Sequence, residues 1–308
     1  MDSAVRDRLK GIIVPIASPC TKLDEFDEDG FVTLAQWLYS SGVHGLYVCG
    51  ATGDGYKMTV DERKRATELA VEVSRRDNGV VIVHVGSTSS RDAVLLAEHA
   101  AGIGVDAVAS MRPPNSSLEE LVHYYTDIAN ATALPVLVYH IPTLTGVSST
   151  LKEILELLDI EGVVGLKCSD WNLFFLRRII DARPQVIAFN GMDELLCPGL
   201  LYGCVGGIGM WYNVIPRLIL SIYESVERAD VAQAMELQKM MMKVAELGWE
   251  VGLHPSLEYA MARAGLPRHL FRRPRVELDD QMRARLDREL SRLLDEIDRA
   301  TGTAAEDG

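Results

Sequence analysis

Residues 163–170 read VVGLKCSD, a short apolar run that reaches a lysine and is flanked on both sides by helical patterns. A run this apolar indicates a strand buried on both faces, the kind that parallel sheets use. Lys167 stands at the C-terminal end of that strand, where α/β barrels carry their active sites. A desolvated ammonium shifts toward the neutral amine, which can attack a carbonyl to form a Schiff base. The alternative is a lysine whose stem is buried while its head stays in water.

The composition argues against several classes of function. The chain has 308 residues, a formal net charge of −13 and 48% hydrophobic residues. This is enough apolar material for a core, and the acidity without any basic cluster argues against nucleic-acid binding. The longest apolar runs are strand-sized, so no membrane span is expected. The charged N-terminus does not resemble a signal peptide, and we therefore expect a cytoplasmic protein.

The cysteines indicate a reducing compartment. They are scattered, odd in number and without CxxC spacing: Cys20, Cys49, Cys168, Cys197 and Cys204. This pattern predicts reduced thiols with neither a disulfide framework nor a zinc site. Cys168, next to Lys167, is either reactive or buried and inert, and the burial of most free thiols favours the second alternative.

Strand-like and helix-like segments alternate eight times. The predicted strands cover 11–16, 45–49, 80–85, 106–111, 135–139, 163–167, 186–189 and 205–209. Regular alternation predicts a parallel sheet, and eight units in about 210 residues predict a closed (β/α)8 TIM barrel. An open doubly wound sheet is the alternative, but no GxGxxG motif follows the first strand.

The chain divides into three predicted regions. The barrel is expected over 1–212, a C-terminal helical extension over 213–300, and a disordered tail over 301–308. The extension is predicted to be helical throughout, and either to cover the side of the barrel or to form a contact between subunits. The short tail carries small and acidic residues of the kind found at mobile termini.

Residues that follow the strands of a barrel converge on one face. At the predicted strand ends stand Thr52, Tyr139, Lys167, Asp193, Glu194 and the segment 207–212. The loop at 50–53 suits a carboxylate, because glycines let backbone N–H groups approach closely and Thr52 adds a hydroxyl. Tyr139 can carry protons if a neighbouring cation lowers its pKa. Considered alone, the loop at 50–53 could be an ordinary tight turn. Considered alone, Tyr139 could have only a structural role.

Together, five motifs resemble those of the class I, Schiff-base-forming pyruvate aldolases, the dihydrodipicolinate synthase and N-acetylneuraminate lyase family. Residues 50–54 (GATGD) match the family's GxTGE loop, and residues 139–146 (YHIPTLTG) match its YNxPxxTG motif. The other three are GLK at 165–167, NGMDE at 190–194, and GGIG at 206–209 followed by Asn213. The resemblance spans about residues 10–295 and is closer to the lyase branch.

The resemblance implies a mechanism. Lys167 would form the Schiff base with the C2 carbonyl of a 2-oxo acid such as pyruvate, and Tyr139 would be the acid and base beside it. Gly50, Ala51 and Thr52 would hold the carboxylate. An iminium at C2 is an electron sink, so the C3–C4 bond can break to leave an enamine without a metal or another cofactor.

The resemblance also implies the rest of the substrate site. In the lyase branch, the positions that match Gly191, Asp193 and Glu194 bind the hydroxylated tail of the sugar acid. Ile208 and Met210, which follow the eighth strand, complete the expected substrate-binding set. The second substrate would be an aldehyde, and the family's usual assembly implies a homotetramer.

Several positions depart from the family pattern. Ala51 replaces a hydroxyl residue that relays protons to the tyrosine, and residues 114–116 (PNS) replace aromatics that reach a neighbouring subunit's site. Met210 and Trp211 replace small hydroxyl residues, so we expect a smaller and less polar pocket. Leu144 replaces the arginine of the synthases, which disfavours synthase activity. Asp54 replaces a glutamate and is expected only to adjust its loop.

Three functional hypotheses follow. The first is a pyruvate-dependent aldolase whose aldehyde is smaller or more apolar than N-acetylmannosamine. The second is a dehydratase of a 2-keto-3-deoxy sugar acid, with a dihydrodipicolinate synthase-like enzyme ranked lower. The third is a non-catalytic homologue that binds a 2-oxo acid, since a fold can persist after its site has lost activity.

Overall fold

Eight parallel strands form a closed barrel in the computed structural model, which describes residues 3–267 and 271–302. The strands are Gly11–Val14 (β1), Gly45–Val48 (β2), Val80–His84 (β3), Ala107–Met111 (β4), Val136–His140 (β5), Val163–Cys168 (β6), Ile187–Asn190 (β7) and Gly206–Gly207 (β8). They pair in sequence order, and β1 closes on β8 through the pairs Gly11–Gly206 and Ile12–Gly207. The predicted (β/α)8 barrel is confirmed, and the open doubly wound sheet is excluded.

Helices connect the strands and cover the barrel. They are Ser3–Arg8 (α1), Glu28–Ser40 (α2), Val60–Asp77 (α3), Ser90–Ile103 (α4), Leu118–Ala131 (α5), Pro142–Thr145 (α6), Leu151–Leu158 (α7), Leu173–Ala182 (α8), Leu196–Leu201 (α9), Pro216–Glu227 (α10), Val231–Val251 (α11), Leu253–Arg263 (α12) and Asp280–Ala300 (α13). Within the described part of the chain, none of them has both the length and the apolar character that a membrane-spanning helix requires.

Capping boxes determine where three of the helices begin. Thr59, Ser117 and Thr150 each accept a hydrogen bond from the backbone of a glutamate three residues later, which accepts one in return. These reciprocal bonds satisfy backbone N–H groups that a helix start leaves unpaired. A Ser or Thr followed three residues later by Glu is the sequence pattern of a capping box, and at all three places the structure forms the box and begins the helix there.

The core has two layers because alternate residues of a barrel strand face opposite sides. The inner layer fills the barrel with side chains that include Ile13, Tyr47, Ile82, Leu137, Tyr139 and Phe189. The outer layer packs the other faces of the strands against the helices. Lys167 belongs to the inner side, where its ammonium lies over the Tyr47 and Tyr139 rings.

The prediction of uninterrupted helix after residue 214 is wrong. Helix α12 ends at Arg263 and α13 begins at Asp280, and the described residues between them, 264–267 and 271–279, are not helical. Gly265, which has a φ of 72°, ends α12 with the Leu266 N–H bonded to the Met261 carbonyl, and Pro267 and Pro274 disfavour helix in the segment that follows. The predicted tail is described only to Gly302, in a turn, and residues 303–308 lie outside the described part.

Gly165 allows β6 and β7 to approach each other closely. A Cβ atom on Gly165 would lie 2.0 Å from the carbonyl oxygen of Ile187, its partner on β7. We therefore expect Gly165→Ala to lower the free energy of unfolding by about 2–3 kcal/mol, measured by urea denaturation. The matched control is Gly102→Ala in α4, where nothing lies within 4 Å of the added methyl. It should raise stability by about 0.5–1 kcal/mol, and equal losses in both variants would contradict the prediction.

Candidate active site

A cavity of about 330 Å³ opens at the C-terminal end of the barrel strands. Nine of the ten predicted site residues line it: Ala51, Thr52, Tyr139, Lys167, Gly191, Asp193, Glu194, Ile208 and Met210. The tenth, Gly50, lies beside the lining, where its carbonyl accepts the Gly55 N–H at 3.1 Å. The fold therefore brings together residues from the ends of five strands that are distant in sequence.

Lys167 is buried at the inner end of this barrel-end cavity. It is 3% exposed, and its Nζ lies 4.3 Å from the ring centre of Tyr139 and 4.8 Å from that of Tyr47. Tyr139 is also its direct neighbour across the β5–β6 pair. Burial lowers the pKa of Lys167 to about 7, and the nearby charge of Asp193 partly opposes this decrease. A large fraction of this amine is therefore neutral at pH 7, the form that attacks a carbonyl.

Asp193 fixes the chain after β8 and gives the cavity a buried carboxyl group. Its Oδ2 and Oδ1 accept the N–H groups of Met210 and Trp211, each at 2.9 Å. Its carbonyl accepts the side-chain amide of Gln238 from α11 at 3.1 Å. Burial, with a smaller contribution from Glu194, raises the pKa of Asp193 to about 7. The Asp193 carboxyl group therefore holds the backbone of the 3₁₀ turn Met210–Asn213 by hydrogen bonds and also interacts electrostatically with Lys167.

A hydroxyl from Ser169 stands beside Tyr139. Burial raises the pKa of Tyr139 well above its usual value, and a hydrogen bond with Ser169 opposes the rise. Ser169 Oγ also donates to the carbonyl of Gly191 at 3.2 Å. The sequence analysis assigned no role to Ser169, although its position two residues after Lys167 places both on one side of the strand. The structure therefore supplies a hydroxyl next to Tyr139 although Ala51 has none.

His84 is a second residue that the sequence analysis missed. Its ring packs edge-on to Tyr139 with centroids 6.0 Å apart, and its Nε2 accepts the Met111 N–H at 3.2 Å. Burial and the positive charges of Arg63 and Lys167 lower its pKa well below the usual value. The imidazole is therefore neutral. It holds the Tyr139 ring in place without adding a charge beside Lys167.

The loop after β2 is tied to the C-terminal extension. Asp54 is fully buried and accepts the Arg272 N–H at 2.9 Å and the Lys57 ammonium at 3.2 Å. Arg272 in turn donates to both oxygens of Glu62, at 2.8 and 2.9 Å. Gly55 permits the tight turn, since a Cβ there would lie 1.9 Å from the Cys49 carbonyl oxygen. Asp54 thus does more than adjust its loop, because it links the loop to residues 218 positions away.

The outer wall of the cavity, formed by Tyr56, Leu144, Trp249 and Leu253, is largely apolar. Trp249 belongs to α11, and its indole N–H donates to Glu194 Oε1 at 2.6 Å. Met210 also lines the cavity, as predicted. Trp211 touches it but is 1% exposed and packs against Gly248, so it adds mainly to the core.

The cysteines and the acidic residues do not form a second reactive site in the described part of the chain. All five cysteines are buried thiols that form no disulfide, and burial raises the pKa of Cys168 well above its usual value. Cys168 therefore matches the inert alternative. Over residues 3–267 and 271–302, no group of three or more His, Cys, Asp or Glu side chains is arranged to hold a metal ion.

Comparison with known proteins places this site in a family. A family model described as the dihydrodipicolinate synthetase family matches residues 8–293. The chain belongs to this family. The match confirms the family indicated by the five motifs, and it covers the barrel and most of the extension.

Individual members of the family are similar over most of their length. The N-acetylneuraminate lyase of Enterobacter sp. (strain 638) is 34% identical over 254 residues, covering 82% of this chain and 85% of that protein. The sialic acid aldolase structure from Ruminococcus gnavus has a TM-score of 0.90 at 25% identity, covering 96% of this chain and 99% of that one. A prophage protein from E. coli K12 of the dihydrodipicolinic acid synthase family, solved with pyruvate, has a TM-score of 0.87 at 26% identity, covering 92% and 98%.

Replacing Lys167 with methionine should stabilise the protein. The folded pKa of about 7 lies below the unfolded value of about 10.4, so the unfolded chain binds a proton that the folded chain releases. The cost of burying Lys167 therefore grows as the pH falls from about 10 to about 7 and is constant below that. Lys167→Met should raise the free energy of unfolding by several kcal/mol at pH 7 and by much less at pH 10.

Urea denaturation at the two pH values measures this gain. The matched control is Lys239→Met on an exposed face of α11, which should change stability by less than about 0.5 kcal/mol at either pH. A gain for Lys167→Met that is the same at both pH values would mean that the pKa of Lys167 is not lowered.

Proposed function

We propose that this protein is a class I aldolase that forms a Schiff base between Lys167 and pyruvate and makes or breaks a carbon–carbon bond to an aldehyde. The observation that carries the proposal is the buried amine of Lys167, with its lowered pKa, beside Tyr139 in the barrel-end cavity. Membership of the dihydrodipicolinate synthetase family and the likeness to N-acetylneuraminate lyases confirm the predicted enzyme class, a lysine Schiff-base lyase.

Pyruvate binds with its carboxylate at the loop after β2. The N–H groups of Ala51 and Thr52 and the Thr52 hydroxyl donate to the carboxylate, while Gly50 shapes the turn. This loop is positioned by the bonds from Asp54 to Arg272 and Lys57. The loop is therefore held in place before pyruvate arrives, which spares the cost of ordering it on binding.

The chemistry follows from the iminium. Neutral Lys167 attacks C2 of the 2-oxo acid, and the hydroxyl of the resulting carbinolamine leaves as water with the proton of Tyr139, which gives a positively charged iminium and a Tyr139 phenolate. In the cleavage direction, Tyr139 takes the proton of the C4 hydroxyl, the C3–C4 electrons move into the iminium to give an enamine, and the aldehyde leaves. Protonation of the enamine at C3 and addition of water release pyruvate and restore Lys167. The iminium charge lowers the high pKa of Tyr139 at the moment it must act as a base.

Ser169 takes the place of the missing relay hydroxyl. Its O–H donates to the Gly191 carbonyl, and by turning toward Tyr139 the same O–H can donate to the phenolate and stabilise its negative charge. The family pattern puts such a hydroxyl at the position of Ala51. We assign Ser169 as the residue that positions Tyr139 and stabilises its phenolate.

The alternative hypotheses differ from the aldolase in what they release. A 2-keto-3-deoxy sugar acid dehydratase would share Lys167 and Tyr139 but would lose water and release no pyruvate. The apolar outer wall does not favour a sugar acid, and Leu144 in that wall does not favour the second substrate of a synthase. A non-catalytic binding protein would need no lysine with a lowered pKa. The aldolase is the function these observations support best.

The proposal extends to assembly and location. We infer a homotetramer, on the strength of the family resemblance alone. We also infer a cytoplasmic location, which five buried cysteines outside any disulfide support because thiols stay reduced there.

Borohydride trapping tests the Schiff base directly. Reduction in the presence of pyruvate should leave a stable adduct on the peptide that contains Lys167, read by intact mass and peptide mapping. Lys167→Ala should give no adduct, whereas the control Lys152→Ala, on exposed helix α7, should give the wild-type amount. The aldolase proposal fails if neither pyruvate nor a longer 2-oxo acid labels the wild-type protein.

Exchange of the pyruvate methyl protons with D₂O tests Ser169 without requiring an aldehyde. Ser169→Ala should slow this exchange about 10²-fold while leaving borohydride trapping intact, because the Tyr139 phenolate loses its hydrogen-bond donor and Lys167 is unaffected. Loss of the bond also raises the pKa of Tyr139, so the basic limb of the pH profile should move to higher pH. Adding Ala51→Ser should restore part of the rate. Wild-type exchange in Ser169→Ala would remove Ser169 from the mechanism.

A further inference from the structure

We propose that the aldehyde partner is aromatic, an aryl aldehyde whose ring binds against the apolar outer wall of the barrel-end cavity. The inference rests on the proposed function and names the class of its second substrate. Two observations support it. The carboxyl groups of the cavity already accept hydrogen bonds from the protein, and the side chains that remain exposed along the outer wall are apolar.

The carboxyl groups expected to bind a hydroxylated tail are largely occupied. Both oxygens of Asp193 accept backbone N–H groups, and Oε1 of Glu194 accepts the Trp249 indole. Three of the four carboxyl oxygens of this pair thus already have a protein donor. A polyhydroxylated aldehyde would therefore find few free acceptors on this pair of carboxyl groups, and each hydroxyl that is left without a partner against the apolar wall weakens binding.

The surfaces left free are flat and apolar. Tyr56, Leu144 and Trp249 are 53%, 46% and 50% exposed, although large hydrophobic side chains are usually covered. Trp249 is held in place from two sides, by its bond to Glu194 and by the Trp171 ring 6.2 Å away. A fixed indole at the mouth of a cavity offers a stacking surface for another ring.

The size of the cavity fits this substrate. A volume of about 330 Å³ is at the small end of ligand pockets, enough for a pyruvate unit on Lys167 and one ring beyond it. Buried Ile208 and half-buried Met210 face the same space and add apolar contact. A planar ring also has few rotations to lose on binding, unlike a flexible chain of equal volume.

The reaction with such an aldehyde is balanced by groups already present. The enamine carbon C3 attacks the aldehyde carbon, the new carbon–carbon bond forms, and the carbonyl electrons move to the aldehyde oxygen. That oxygen takes the proton of Tyr139. Addition of water to the iminium then frees a 4-aryl-4-hydroxy-2-oxobutanoate and Lys167.

Comparison of three aldehydes tests the inference. Purified wild-type protein is given pyruvate with benzaldehyde, cyclohexanecarbaldehyde or N-acetylmannosamine, and product formation is followed by NMR. We expect kcat/KM for benzaldehyde to exceed the other two values by at least about tenfold, because only its ring is flat enough to stack. A higher value for the cyclohexane or the sugar aldehyde would overturn the inference.

Variants of the outer wall locate the ring. Trp249→Leu should lower kcat/KM for benzaldehyde about tenfold, mainly by raising KM, and Trp249→Phe should recover most of the loss. Pyruvate exchange is measured in both variants, and the loss for benzaldehyde should exceed any loss of exchange at least about fivefold. The matched control is Phe174→Leu, a 70% exposed aromatic of α8 that does not line the cavity, which should change nothing. An unchanged benzaldehyde KM in Trp249→Leu would also overturn the inference.

The two proposals fail in different ways. If pyruvate is trapped on Lys167 and its protons exchange but no aryl aldehyde reacts, the aromatic substrate is wrong and the aldolase stands. If pyruvate is not trapped, the aldolase itself is wrong, and the substrate inference falls with it.

Discussion

The amine of Lys167 is buried in the interior of the barrel, over the rings of Tyr47 and Tyr139, and the other residues of the site are arranged around it. Water would hold the amine in its charged form, whereas the aromatic surroundings make the neutral amine accessible near pH 7. Neutral His84 supports Tyr139 without adding charge, and Asp193 keeps the shift moderate. Burial of Lys167 lowers the free energy of unfolding of the barrel, and the same burial makes the amine reactive.

The C-terminal extension completes the site instead of only covering the barrel. Its α11 holds the backbone of Asp193 through Gln238 and places Trp249 over Glu194. Its segment after α12 holds the loop after β2, through Arg272 and Asp54. The barrel thus supplies the reacting groups, while the extension determines the rigidity of the loop and the polarity of the outer wall.

The departures from the family pattern are easier to understand in three dimensions than along the chain. Ala51 removes one hydroxyl, but Ser169 brings another to Tyr139 from the neighbouring strand. Asp54 is one methylene shorter than glutamate and still reaches the Arg272 backbone, because that segment approaches the loop. Residues outside every motif thus stand next to the positions at which a motif is broken.

The sequence by itself determined the barrel, its capping boxes and the set of residues at the strand ends. It could do so because strand periodicity, capping and the convergence of parallel strand ends are local or topological rules. Only the tertiary structure decided the roles of Ser169, His84 and Trp249. Their contacts join segments far apart in the chain, and Trp249 meets Glu194 across 55 residues of sequence. Local patterns carry no information about such distances, because packing of the whole chain determines which distant side chains meet.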